Sequence, residues 1–222
     1  MSDPLPVEST VQRLSSELWG SELFSDGVWS LVEPLSALVR VEDGGAASWP
    51  TIVRLAWSSE GLAVRFDCED QNRWASLSRR DDPLWLEEVV EVFLQFAEKT
   101  GGVYFEFEVN PIGALFDAVI RNPSGDRRKE PLEVGHSWNC RGLLWGVGKT
   151  GRSEDWWAVL AMPWRSLALG AAPRWCRANF YRVERPQGRN DEHAEQSAWS
   201  PTLRAPADFH VPSRFGTLRF SS

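Results

Sequence analysis

Five glutamates fall on two short stretches that read as strands: Glu87, Glu88 and Glu91 within 85–93, and Glu106 and Glu108 within 104–110. Carboxylates at this density support three kinds of chemistry. A pair can hydrolyse a glycosidic bond when the carboxyl groups stand about 5–5.5 Å apart for retention or about 6.5–9.5 Å for inversion. A row of them can bind a ligand made of hydroxyls, with an aromatic ring such as Trp85 covering its apolar C–H face. The same row beside aromatic rings can hold an ammonium group. Glu106 and Glu108 stand about 7 Å apart by strand rise. Nothing in the sequence raises one pKa above the other, as a hydrolytic acid/base pair requires, so no bond cleavage is expected.

Strands must position these groups. In 104–110, Phe105, Phe107 and Val109 alternate with Tyr104, Glu106, Glu108 and Asn110, and a period of two sends the apolar set to a core and the polar set to the opposite face. The β-branched run Val89, Val90 and Val92 with Phe93 favours strand over helix for 89–95. Alternation through 51–57 and 62–68, joined at 58–61, reads as a hairpin. Further strands are predicted at 114–121, 143–148, 156–162, 178–184 and 216–220. Helix is expected only at 11–18 and as a single turn at 164–167. Short strands separated by Gly, Pro or Asn argue an all-β antiparallel sandwich.

At 222 residues the chain fits one domain. An N-terminal extension with the first strands spans 1–48, and the main sandwich spans 49–222. Thirteen Trp against two Tyr favour strands, and most of these indoles are expected to pack in the core, Trp57 and Trp157 among them. A net charge of -7 disfavours nucleic acid and anionic membranes, which need clustered Lys and Arg. The cluster Arg127-Arg128-Lys129 reads as a solvated loop tip and 185–194 as a mobile loop. His210 reads as a loop brace. Cys68, Cys140 and Cys176 are an odd number without metal-type spacing. The stretch 1–6 has no basic or apolar leader pattern, which points to the cytoplasm, or to an extracellular place if a leader has been removed.

Several blocks together resemble family-9 carbohydrate-binding modules: Trp85–Phe93, Tyr104–Ala114, Met162-Pro163-Trp164, Asn179-Phe180-Tyr181-Arg182, Ser197–Pro201 and Phe209–Pro212 with Arg214–Leu218. The resemblance covers about 49–220. It implies a jelly-roll-like sandwich that binds the end of a sugar chain between two tryptophan rings without cleaving it. Trp85 matches the first platform and Glu91 a carboxylate that bonds sugar hydroxyls, while Asn110 and Asn179 lie on matching strands. The second platform, a tryptophan in the family, falls at Phe209. A cleft arginine is replaced by Glu108 and a cleft glutamine by Tyr181, with Arg182 as a positive group beside it. The family often carries structural calcium, and Asp67, Asp70 and Asp82, with Glu69 and Asp81, supply oxygens in the corresponding region. A non-sugar ligand such as an ammonium compound, or a purely structural domain, is the alternative on the same fold.

Overall fold

The hairpin forms as the alternation requires: β3 (Thr51–Trp57) pairs antiparallel with β4 (Gly61–Cys68), setting Val53 opposite Phe66 and Leu55 opposite Val64. These coordinates are a computed structural model that describes residues 5–96, 102–151, 154–188 and 193–220. Beyond β4, β10 (Trp156–Pro163) and β9 (Leu144–Lys149) extend the same sheet. The other sheet runs β8 (Glu133–Gly135), β7 (Leu115–Arg121), β6 (Val103–Val109), β5 (Val89–Gln95), β11 (Trp175–Glu184) and β13 (Gly216–Phe220). The short strands β12 (Glu195–Ala198) and β2 (Val39–Arg40) pair beside β11.

The sequence reading of 11–18 as helix is corrected here. Glu8–Arg13 is a strand, β1, and Ser16–Leu18 is one 3-10 turn capped by the Ser15 hydroxyl. The spacing of Val11, Leu14 and Leu18 is helical, yet β1 has backbone partners on both sides. It pairs parallel with β13 and with β3, so it joins the two sheets, and tertiary pairing overrides the local pattern. Those parallel pairs also correct the expectation of a wholly antiparallel fold. The single turn at Trp164–Leu167 forms as expected, and α1 (Asp26–Trp29) adds one further turn.

Between the sheets lies the main core, where Val53, Leu55, Val64 and Phe66 face Val92, Phe105, Phe107 and Phe180, and the Phe66 and Phe180 rings meet edge to face at 6.3 Å. Two buried indoles keep their N–H groups bonded: Trp57 donates to the Val11 carbonyl at 3.2 Å and Trp164 to that of Ser58 at 2.9 Å. Trp157 is only partly buried, because it lies on the outer face of β10 with the Arg65 guanidinium 5.2 Å from its ring. Cys68, Cys140 and Cys176 are buried and free, and burial pushes the Cys68 and Cys140 thiols up to about 12.

The opposite face of β5, β6 and β11 carries Glu91, Phe93, Tyr104, Glu106, Glu108, Asn179 and Tyr181. It is not open to water as simple alternation suggests. A second apolar cluster, with Leu84 before β5 and Phe209 and Phe215 from the final loop, covers it. The polar row is thereby turned from a solvated surface into the floor of a cleft.

Candidate functional site

Trp85 occupies the 3-10 turn Leu84–Leu86 just before β5. Leu84 is fully buried and anchors the turn, whereas Trp85 stays 43% exposed and leans edge-on against Phe116 of β7, with ring centroids 5.5 Å apart. Across a cleft of about 350 Å³ stands Phe209, and the lining includes Glu91, Glu106, Arg127, His136, Val183, Gln196 and His210. A volume of this size lies within the range of small-ligand pockets.

Pairing sets the floor. Glu91 lies opposite both Glu108 on β6 and Tyr181 on β11, and Glu106 lies opposite Phe93, so all of them share one face. Carboxylate oxygens of Glu91, Glu106 and Glu108 lie within 4.8 Å of one another, closer than strand rise alone suggests. Burial raises the pKa of each, to about 8 for Glu106 and well above the ordinary range for Glu91 and Glu108. The proximity of like charges pushes Glu91 and Glu108 further in the same direction.

Tyr181 and Asn179 act from beneath. The Tyr181 ring stacks on Phe209 at 4.1 Å and its hydroxyl donates to the Phe209 carbonyl at 2.9 Å. Asn179 donates from Nδ2 to the Tyr181 hydroxyl and to the Ser200 carbonyl, each at 2.8 Å, and its Oδ1 accepts the Ser200 N–H at 2.9 Å. Asn110 donates to the Leu77 carbonyl at 2.7 Å and accepts the Ala114 N–H at 2.9 Å. It thus closes the β6–β7 turn, in which Gly113 takes a φ of +87°. These three side chains hold the cleft's walls rather than line it.

Arg182 does not join the cleft. Period-two alternation sends it to the face opposite Tyr181, into the space between the sheets, where it bonds Thr51 Oγ1 at 3.2 Å and pairs with Glu184 and with Asp70 at 3.5 Å. Val183, two residues from Tyr181, takes the place on the cleft wall that strand parity assigns it. The three aspartates expected to share a calcium also separate. Asp67 is held by Arg54 and Arg65, each at 2.8 Å, and Asp82 by Arg79 at 3.3 Å. Only Asp70 enters a carboxylate group, with Glu88 and Glu184. There Asp70 Oδ2, Glu88 Oε1 and Glu184 Oε1 are buried without hydrogen bonds, and burial pushes Glu88 up to about 9 and Glu184 to about 7.

Two residues enter from segments read as plain loops. Arg127, from the supposed loop tip, reaches the cleft and pairs with Asp208 at 2.9 Å. His210 braces its loop, as expected, through a 2.8 Å bond between Nδ1 and the Tyr104 hydroxyl, and it also lines the cleft with Nε2 4.0 Å from Glu106. Burial, then the Arg127 charge, lowers its pKa to about 3, so it is neutral. Part of the predicted loop 185–194, residues 189–192, lies outside the described residues.

An exposed indole thus stands beside buried carboxylates on one face of a β-sandwich. A family model described as Carbohydrate-binding family 9 matches residues 46–220, and the chain belongs to that family. An extracellular protein of Arthroderma benhamiae is 24% identical over 180 residues, covering 77% of this chain and 78% of its own. Among solved structures, a Bacteroides uniformis protein inferred to bind carbohydrate is similar in fold, with a TM-score of 0.72, 18% identity and coverage of 97% of this chain and 99% of its own. A family-9 module from Caldicellulosiruptor kristjanssonii in complex with glucose follows, with a TM-score of 0.61, 14% identity and coverage of 97% and 96%. Among the described residues no helix is long and apolar enough to cross a membrane.

Proposed function

We propose that the cleft between Trp85 and Phe209 binds the end of a sugar chain, or a single sugar, without cleaving it. The observation that carries this reading is the exposed Trp85 ring standing beside Glu91 and Glu106 on the floor of the same cleft. An indole matches the C–H face of a pyranose and the carboxyl groups bond its hydroxyls, the division of labour that a ligand with one apolar face and many hydroxyls requires. Glucose and cellotriose are the ligands of the Caldicellulosiruptor kristjanssonii module, which makes them the first to test. Cleavage is not part of this reading, since a retaining pair needs one ionised carboxylate beside a protonated one and burial drives all three glutamates toward the protonated form. The Arthroderma benhamiae relative's name supports an extracellular place for the module.

Calcium is the metal this reading includes, at Asp70, Glu88 and Glu184 rather than at Asp67 and Asp82. Three buried carboxylate oxygens without hydrogen bonds suit a hard cation that takes oxygen ligands and whose charge would favour the ionised forms that burial disfavours. When bound, the ion would supply positive charge beneath the segment 70–88 that leads to Trp85.

Isothermal titration with cellotriose tests the function. Saturable binding is expected, lost in Trp85→Ala with little change in thermal stability, while Trp57→Ala costs about 3–5 kcal/mol of folding free energy. Retained binding in Trp85→Ala, or reducing sugar released by the wild type and abolished in Glu91→Gln, contradicts the proposal.

A further inference from the structure

We propose that the sugar taken by this cleft carries a free amine, so that the ligand is an amino sugar whose ammonium group rests on Glu91, Glu106 and Glu108. This deepens the sugar-binding reading and depends on it. The three carboxylates come from adjacent strands, lie within 4.8 Å of one another and are all buried. Glu108 is fully buried, and neither the Trp85 backbone N–H nor the adjoining Glu106 carboxyl offsets that burial. Like charges gathered out of water call for a positive partner or for protons.

The cations that line the cleft do not fill that role. The Arg127 charge, paired through Nε with Asp208 at 2.9 Å, lowers the pKa of Glu91 and Glu106 without cancelling the effect of their burial, and His210 is buried and neutral with its Nδ1 taken by Tyr104. Access comes from the ligand side through Glu91 and Glu106, which line the cleft, and Glu108, fully buried, adjoins them. An ammonium group that takes the place of the protons favoured by burial, which pass to solvent, has three donors to share among the carboxyl groups, whereas a hydroxyl at the same point brings one donor and no charge. The surroundings favour the amine over a metal ion. The cross-strand neighbours of Glu106 and Glu108 include Phe93, Ala118 and Phe116, which offer ring faces and apolar surface rather than the further oxygens that calcium needs.

The test is a set of titrations of the intact chain at neutral pH, followed by calorimetry or tryptophan fluorescence, with glucosamine, N-acetylglucosamine, glucose and calcium chloride alone. Glucosamine is expected to bind about tenfold tighter or more than the other two sugars, as a charge-assisted hydrogen-bond set implies. In Glu108→Gln the ratio of glucosamine to N-acetylglucosamine affinity should fall toward one, and Glu106→Gln gives the same reading if the first variant does not fold. Equal affinity for glucose and glucosamine in the wild type overturns the amine while leaving sugar binding standing. Calcium saturating the site more tightly than glucosamine, with that binding lost in Glu108→Gln, overturns it in favour of a metal. No binding of any sugar removes both readings.

Discussion

Glu106 carries the clearest pH signature of any single residue in the cleft. Its folded pKa of about 8 exceeds the unfolded carboxylate value, so the folded state holds more protons between the two, and stability falls as pH rises through that window. Glu91 and Glu108 act in the same sense. His210 acts oppositely, because a folded pKa of about 3 against an unfolded value of about 6.5 makes stability fall as pH drops below that value. Above pH 6.5 or so only the carboxyl contribution remains. The melting temperature of the ligand-free protein should therefore decline from about pH 6.5 to pH 8.5, with a shallower slope in Glu106→Gln. A flat profile in the wild type would show that the carboxyl groups are not buried as described. Trp85, Glu91 and Phe209, which the family resemblance singles out, all line the cleft. Arg127 was not legible in the sequence, since a basic loop between turn residues carries no sign that it folds back onto Asp208.

At the scale of elements, the strand periods were readable and the pairings that cross the chain were not. The alternation in β3, β4, β5, β6 and β11 follows from side chains pointing to opposite faces, and strand parity accounts for Tyr181 beneath the cleft and Arg182 between the sheets. Sequence blocks do not state which residue of an adjacent pair faces which way, so the resemblance alone groups Arg182 with the cleft. β1 was missed for a different reason: its stability comes from β13 and β3, far away in sequence. The final loop carrying Phe209 depends on Asn179, which satisfies both backbone groups of Ser200 and the Tyr181 hydroxyl. Asn179→Ala leaves buried polar groups without partners and should cost about 1–3 kcal/mol. By denaturant titration it should be less stable than the wild type and, by loosening Tyr181 under Phe209, bind sugar more weakly. Unchanged stability would mean that the loop is held by other contacts.

For the whole molecule, two buried acidic centres stand apart among the described residues. The one formed by Asp70, Glu88 and Glu184 lies between the sheets beside Arg182, and the one formed by Glu91, Glu106 and Glu108 lies under the ligand cleft. If the first holds calcium, adding the ion raises the melting temperature and a chelator lowers it, by an amount set by concentration relative to affinity. Glu88→Gln should remove that dependence, and insensitivity of the wild type to both additions would exclude the ion. The family's sandwich positions the cleft by joining its sheets through β1 and covering the acidic face with the segments around Leu84 and Phe209. The most direct test of the central claim is a crystal structure of the protein with cellotriose or an amino sugar bound. A pyranose ring is expected against the face of Trp85, with its polar groups within hydrogen-bonding distance of Glu91 and Glu106. A sugar bound elsewhere, with Trp85 untouched, would contradict the account.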